Sequence, residues 1–364
     1  MGKTVLILGG SGVVGWSVAE HFLAQSDCEV ITVSRRKPEL KTDRDFQHLS
    51  VDIRDANEAE AAFSKLTSVT HVVYAALYEK PGLIPGWTDP EQMQTNLEML
   101  QNTVTPLVAN ATSLQHLTLL QGTKAYGIHL HPMPIPAKER ASRDQHENFY
   151  WLQEDFIKAT SASAGFNYSI LRPQLIVGAP AGVAMNLAPI IGAYAAICRE
   201  LDQPFSFPGG PAYVWEAVDA RLLAEVIAWA GETPSAWGEH FNVTNGDVFE
   251  WRNLWPSLAD ALGAEVGPDS QQLMSTFFAE HEALWASVVA RYGLRDTQLA
   301  DILGESHHYA DFCFATGAEA PPPPAFVSAI KLRQAGFTRA QDTEEMFRYW
   351  LSQLIERRII PYLG

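Results

Sequence analysis

The run Leu6-Ile7-Leu8-Gly9-Gly10-Ser11-Gly12-Val13-Val14-Gly15 constrains this chain more than any other stretch. An apolar, strand-like segment enters it and a helical segment leaves it. Gly9, Gly12 and Gly15 stand at the spacing G-x-x-G-x-x-G. Glycines at those places permit a tight turn, a close approach of ligand to backbone, and close packing of helix on strand. The helix starting near Val13 would aim its unpaired N–H groups and the positive end of its dipole at an anion. Such a turn opens a βαβ unit that binds the pyrophosphate of a dinucleotide.

The rest of the N-terminal half supports that opening. Strand signals at Thr4–Leu8, Glu29–Ser34, Gln47–Asp52, His71–Ala76, His116–Gln121 and Asn167–Leu171 are short apolar or β-branched blocks. They alternate with helix signals at Val14–Gln25, Ala56–Leu66, Glu91–Ala109 and Phe149–Ser163. The alternation predicts an α/β, Rossmann-type doubly wound parallel sheet with right-handed crossovers. Residues 1–178 form the dinucleotide-binding domain in this reading, with returning segments extending its core as far as residue 250. From residue 179 the pattern loosens into helices at Ala188–Arg199 and Ala217–Trp229, a Gly/Pro-rich loop at Pro204–Pro211 and a helical region at Gln271–Phe314. Pro321–Pro324 reads as a spacer, and Thr343–Arg357 as a final amphipathic helix. A smaller, mainly helical C-terminal substrate lobe, residues 179–364, is expected to close over the C-terminal edge of the sheet.

Composition narrows the partners. With 26 basic and 42 acidic side chains the formal charge is −16, which repels nucleic acid and anionic lipid. Cys28, Cys198 and Cys313 are odd in number and widely spaced, giving neither a disulfide framework nor metal-ligand spacing. The first strand signal starts almost at the N-terminus, so the expectation is a cytoplasmic chain without a presequence. Pro173 to Cys198 carries no charge, but Pro173, Pro180, Pro189, Gly178 and Gly182 interrupt it. It therefore reads as a strand end, an apolar loop and a buried helix instead of a membrane span.

The second strand signal runs into Val33-Ser34-Arg35-Arg36-Lys37. A carboxylate here would hold the ribose 2′-OH of NAD, whereas paired arginines suit the 2′-phosphate of NADP. Because Lys37 extends the run, a solvated basic loop is the competing reading. Asp52-Ile53, at the end of the third strand signal, would flank the adenine.

The glycine spacing, Asp52-Ile53, and Ala75-Ala76 after the fourth strand resemble extended short-chain dehydrogenases/reductases. That superfamily uses Tyr-x-x-x-Lys with a serine after the fifth strand. In this chain Tyr150 is followed at the lysine position by Glu154, and Leu120-Gln121-Gly122-Thr123-Lys124 lacks the serine but carries a lysine. Asn148-Phe149-Tyr150-Trp151-Leu152-Gln153-Glu154-Asp155 is similar to the N-F-Y-[YW]-x-x-E-D signature of the progesterone 5β-reductase/iridoid synthase-like family. Arg172-Pro173, Ile176-Val177-Gly178, Ala193–Cys198, Phe207-Pro208-Gly209, Phe241–Phe249 and Ile359-Ile360-Pro361 match that family in order.

The resemblance implies reduction of the C=C bond of a small apolar α,β-unsaturated carbonyl compound with NADPH. Tyr150 and Lys124 would be the catalytic pair, stabilising the negative charge that develops on the carbonyl oxygen as hydride reaches the β-carbon. A nearby ammonium would lower the tyrosine pKa. The α-carbon proton would come from solvent. The expected NADP(H)-binding set is Gly9, Ser11, Gly12, Val13, Val14 and Gly15; Ser34, Arg35 and Arg36; Asp52 and Ile53; Ala75 and Ala76; and Gln121, Tyr150, Pro173 and Ile176.

Other readings stay open on the residues alone. Tyr126 offers a competing hydroxyl, while Tyr150 could be an aromatic packing residue and Lys124 a solvated surface charge. A carbonyl reductase or epimerase on the same fold is the alternative enzyme, and a non-catalytic NADP(H) sensor the alternative class. Met185 and Leu187 are candidates for the pocket wall, as are Phe277, Trp285 and Phe314. His129-Leu130-His131 and His307-His308 lack a third ligand at metal spacing, so no metal is expected. No nucleic-acid or membrane partner is expected, and a homodimer is left open.

Overall fold

The computed structural model describes residues 2–364. From the N-terminus the chain forms β1 (Lys3–Leu8), α1 (Val13–Leu23), β2 (Cys28–Val33), β3 (Gln47–Leu49), α2 (Ala56–Phe63), β4 (His71–Tyr74), α3 (Pro90–Asn110) and β5 (His116–Leu120). It continues through α4 (Phe149–Ala164), β6 (Asn167–Pro173), β7 (Leu175–Val177), α5 (Leu187–Glu200), β8 (Val214–Trp215), β9 (Ala217–Asp219), α6 (Ala220–Glu232) and β10 (His240–Val243). Then follow β11 (Phe249–Glu250), α7 (Trp251–Leu262), α8 (Met274–His281), α9 (Trp285–Tyr292), α10 (Leu299–Leu303), α11 (Ser306–Cys313), α12 (Ile330–Gln334) and α13 (Thr343–Glu356).

Seven strands make one parallel sheet in the order β3-β2-β1-β4-β5-β6-β10. Both faces are covered, which is why β1 is a continuous apolar run whose Val5 to Leu8 are fully buried. Helices α1 and α6 pack over one face, and α2, α3 and α4 over the other. A third core joins α5, α7 to α11 and α13 and reaches Val13 and Trp16 of α1 and Leu175 and Val177 of β7. The strand order reverses between β1 and β4, where a crevice opens at the carboxyl ends of the strands.

The differences from expectation are local. The third strand stops at Leu49, leaving Asp52 and Ile53 in the following loop, and Ala75-Ala76 lie just beyond β4. Ala217–Asp219 is a strand pairing with β7, and the helix expected there starts only at Ala220. The edge strand β10, His240–Val243, pairs with β6 and carried no strand signal. The uncharged stretch ends as a buried helix, α5. Among the described residues no helix is long and apolar enough to cross a membrane.

Candidate active site

The glycine turn takes the form its spacing requires. Gly9 adopts φ +80°, and a Cβ there would stand 2.6 Å from Ala75 O. A Cβ on Gly15 would stand 2.2 Å from Gly9 O, so this glycine is what lets α1 lie against the turn. Gly12 N donates to Gly9 O at 2.9 Å, and no side chain caps α1. The first N–H groups of that helix therefore remain for an anion. A pyrophosphate fits this cradle by charge and by space.

The turn opens into a cavity of about 1190 Å³ that also receives the ends of β2, β4, β5 and β6. Of the expected nucleotide-contacting residues, Gly9, Ser11, Gly12, Val13 and Val14 line it from the turn, and Ser34, Arg35 and Arg36 from the end of β2. Asp52, Ile53, Ala75, Ala76, Gln121, Tyr150, Pro173 and Ile176 complete the wall. Gly15 does not line it and acts only in packing. Lys37 leaves the cavity, its ammonium 5.0 Å from the Phe46 ring centroid, so the basic run divides into two inward arginines and one outward lysine. Asp52 is engaged by Arg54, with Nε at 3.0 Å from Oδ1 and Nη2 at 2.5 Å from Oδ2. That bidentate pairing and its charge hold the Asp52 carboxyl below its ordinary range against a smaller opposing effect of burial.

Lys124 and Tyr150 reach this cavity from separate segments, the turn after β5 and the first turn of α4. Asn148 joins them. Its Oδ1 caps α4 by accepting from Tyr150 N at 3.0 Å, and its Nδ2 donates to Lys124 O at 3.2 Å. One side chain thus fixes the start of the tyrosine's helix against the lysine's loop. Gly122 has no side chain to fill the space beside the phenol: a Cβ there would lie 3.2 Å from the Tyr150 hydroxyl.

The electrostatics differ from expectation. Burial pushes the Tyr150 phenol up, and the Glu79 carboxylate pushes it further, with only partial relief from Arg172. Tyr150 therefore stays a protonated donor, and the expected lowering by Lys124 does not occur. Burial pushes Lys124 down, while Glu79, 3.6 Å from its ammonium, pulls the other way. Glu79, in the loop after β4, escaped the sequence reading because no motif surrounds it.

Glu154, where the superfamily places lysine, faces away from this chemistry. Its Oε1 meets Lys158 Nζ at 2.6 Å, Arg143 Nη2 at 2.9 Å and His240 Nε2 at 3.1 Å. Its Oε2 accepts from Gln121 Nε2 at 2.9 Å, while Gln121 Oε1 accepts from Arg172 Nε at 2.8 Å. Burial pushes this carboxyl up, but the His240, Lys158 and Arg143 contacts outweigh it and hold the group well below the usual carboxylate range.

Other candidates are removed by geometry. Tyr126 donates to Asn242 Oδ1 at 2.7 Å, accepts from Arg172 Nη1 at 3.2 Å, and does not line the cavity. Leu187, Phe277, Trp285 and Phe314 are buried in the third core. Met185 does line the cavity, and the aromatic wall comes instead from Trp87, Phe149, Tyr213, Trp215, Tyr309 and Phe312. Pro322 and Pro323 belong to the wall as well, so the proline run is more than a spacer. His129 stacks edge-on with His146 and Trp87, and no cluster with metal-ligand potential occurs among the described residues.

The sequence profile described as a PRISE-like Rossmann-fold domain matches residues 45–312. The chain belongs to that family. Among curated relatives, an (S)-8-oxocitronellyl enol synthase of Nepeta racemosa is 30% identical over 98% of this chain and 91% of its own length. Another, from Camptotheca acuminata, is 34% identical over 82% of this chain and 80% of its own. A third, from Catharanthus roseus, is 28% identical over 99% of this chain and 92% of its own. This PRISE-like chain also shares its fold with a UDP-N-acetylglucosamine 4-epimerase of Methanobrevibacter ruminantium, at TM-score 0.67 and 14% identity, covering 98% of this chain and 99% of that one. The Bordetella bronchiseptica enzyme WbmG, solved with NAD, aligns at TM-score 0.65 and 16% identity over 100% of this chain and 97% of that one. At such identity the epimerase-type neighbours carry the architecture and no more.

Proposed function

We propose that this protein uses NADPH to reduce the C=C bond of small apolar α,β-unsaturated carbonyl compounds. The observation that carries the reading is that Tyr150 and Lys124, from two segments, both line the cavity that the glycine turn opens. NADPH, when bound, supplies the reducing equivalents to the β-carbon. The turn and the α1 N-terminus would hold its pyrophosphate, and Arg35 with Arg36 its 2′-phosphate.

The chain's own groups serve the carbonyl end. Tyr150 remains a phenol, so its O–H can donate to the carbonyl oxygen as negative charge accumulates there. Lys124 adds a positive charge on the same wall. A donor of this kind contributes about 3–4 kcal/mol in a water-excluded site, or ~10²–10³ in rate. Trp87, Trp215, Phe312 and Met185 supply an apolar surface for the substrate's hydrocarbon. The relatives' name agrees with this chemistry, since an enol is the protonated form of the species that Tyr150 and Lys124 would stabilise.

The test is a panel of small enones, beginning with 2-cyclohexen-1-one, with NADPH oxidation followed optically and products identified by mass. A saturated ketone is expected, and an allylic alcohol would transfer the protein to the carbonyl reductases. Tyr150→Phe should keep NADPH affinity within about twofold while turnover falls ~10²–10³-fold. Unchanged turnover would remove the hydroxyl from the mechanism.

A further inference from the structure

Glu79 occupies the loop between β4 and α3 with its side chain only 3% exposed. Its Oε2 accepts from Gln92 Nε2 at 2.6 Å, and its Oε1 has no hydrogen bond, facing Lys124 Nζ at 3.6 Å. Gln92 is itself fixed: it is 1% exposed, sits in the first turn of α3, and accepts from Lys80 N at 2.8 Å through Oε1. The carboxylate is therefore placed by a helix before any ligand arrives.

Lys124 otherwise meets aromatic faces. Its ammonium lies 4.5 Å from the ring centroid of Trp87 and 5.9 Å from that of Phe149. Such faces attract a cation, but they do not replace the water lost on burial, and a buried ammonium without a counter-charge gives up its proton. We propose that Glu79 is the positioning residue of this site, its carboxylate holding the Lys124 ammonium between Trp87 and Phe149 and keeping it charged. The inference rests on the reading of Lys124 as one half of the catalytic pair and concerns what maintains it.

The other groups around the pair do not take this role. His129, in the segment after β5, is pushed down to about 4 by burial first and by Lys124 second, so it is neutral near pH 7. Tyr150 on α4 and Tyr309 on α11 are phenols pushed up by burial. Arg172 on β6 is bound to Gln121 and lies 4.0 Å from Glu154. Burial pushes the Glu79 carboxyl up and the Lys124 ammonium down, and each charge offsets the shift of the other. Glu79 is the charge that sustains Lys124 against its apolar surroundings.

The experiment reads Lys124 directly and needs no substrate. The intact protein is labelled with limiting acetic anhydride across pH 6 to 11, and acetylation of the Lys124 peptide is quantified by mass spectrometry. In Glu79→Gln the half-labelling pH should fall by at least about one unit, so labelling at pH 8 rises roughly tenfold. Glu79→Asp should restore most of the parent curve. Superimposable curves for parent and Glu79→Gln would overturn the proposal. Should the Gln variant not fold, Glu79→Ser takes its place: a fall in the half-labelling pH of about one unit supports the proposal, and a curve superimposable on the parent's overturns it. A shifted curve in a protein that reduces no enone would leave Glu79 in this role and remove the proposed activity instead.

Discussion

Tyr150 and Gly122 are complementary: the phenolic oxygen occupies space that a Cβ on residue 122 would crowd at 3.2 Å. The backbone at Gly122 is extended, with φ −165° and ψ −168°, so a larger residue would meet no backbone strain there. The cost of Gly122→Ala falls on the hydroxyl alone, displacing it by a few tenths of an ångström from its place. Turnover of an enone should drop about tenfold, given how steeply rates respond to misplacement of a catalytic group. NADPH affinity should stay within about twofold. Unaltered steady-state turnover would show that the hydroxyl has room to spare.

Arg35 and Arg36 turn into the cavity while Lys37 stacks on Phe46. Arg36 keeps a light tether, Nη2 to Gly182 O at 3.3 Å, across to the loop before α5. Replacing both arginines by alanine should weaken NADPH by ~10²-fold or more, since each charged hydrogen bond contributes about 1.5–3 kcal/mol. NADH should be nearly indifferent. Fluorescence titration with the two nucleotides measures the ratio, and equal affinities in the parent would defeat the 2′-phosphate assignment.

Glu154 balances three cations, Arg143, Lys158 and Arg172, from a 2% exposed side chain. Glu154→Gln keeps the shape and removes the charge, which should cost about 3 kcal/mol in a urea melt. Glu154→Lys, which rebuilds the superfamily's Tyr-x-x-x-Lys pattern, should fail to fold because it adds a cation to that cluster. A stable, soluble Lys variant would show that the slot tolerates either charge.

How much could be read in advance follows from the kinds of signal involved. Strands β1, β2, β4, β5 and β6 were visible because burial on both faces makes each largely an apolar block, whereas β3, Gln47–Leu49, is a short, part-exposed edge strand. Strand β10 was hidden because Asn242 sits in it fully buried, spending its amide on Tyr126, Ala137 O and Ser328 O. A polar residue there disguises a strand whose partners are distant in sequence. The glycine turn was legible from its spacing, and the arginine pair drew notice from its charge and its place after β2. Phe277 and Phe312 look alike in sequence, yet one is core and the other lines the cavity. Asn148 and Glu154 stood inside the family signature, but their work, a cap joining two segments and a sink for cations, shows only in three dimensions. Glu79 gave no signal, because its meaning depends on a lysine brought up from another strand's end.

Glu216 ties the proline segment to the sheet, accepting from Val327 N at 2.9 Å and Gln174 Nε2 at 3.4 Å. Gln174 also donates to Ala325 O at 2.8 Å, and Pro322, Pro323 and Ala325 line the cavity. Burial pushes the Glu216 carboxyl up to about 7, outweighing those hydrogen bonds. An acid whose folded pKa lies above its unfolded value binds more protons in the fold. Its contribution to stability is therefore fully present below about 4.5 and is lost as pH rises toward 7. The loss approaches ~3 kcal/mol once both states are ionised. Glu216→Gln removes this titration while keeping an oxygen for Val327 N. The variant's stability relative to the parent should therefore climb between pH 5 and pH 7 and level off toward pH 8 in urea melts. A difference that stays flat over that range would mean that Glu216 ionises in the fold as it does in water.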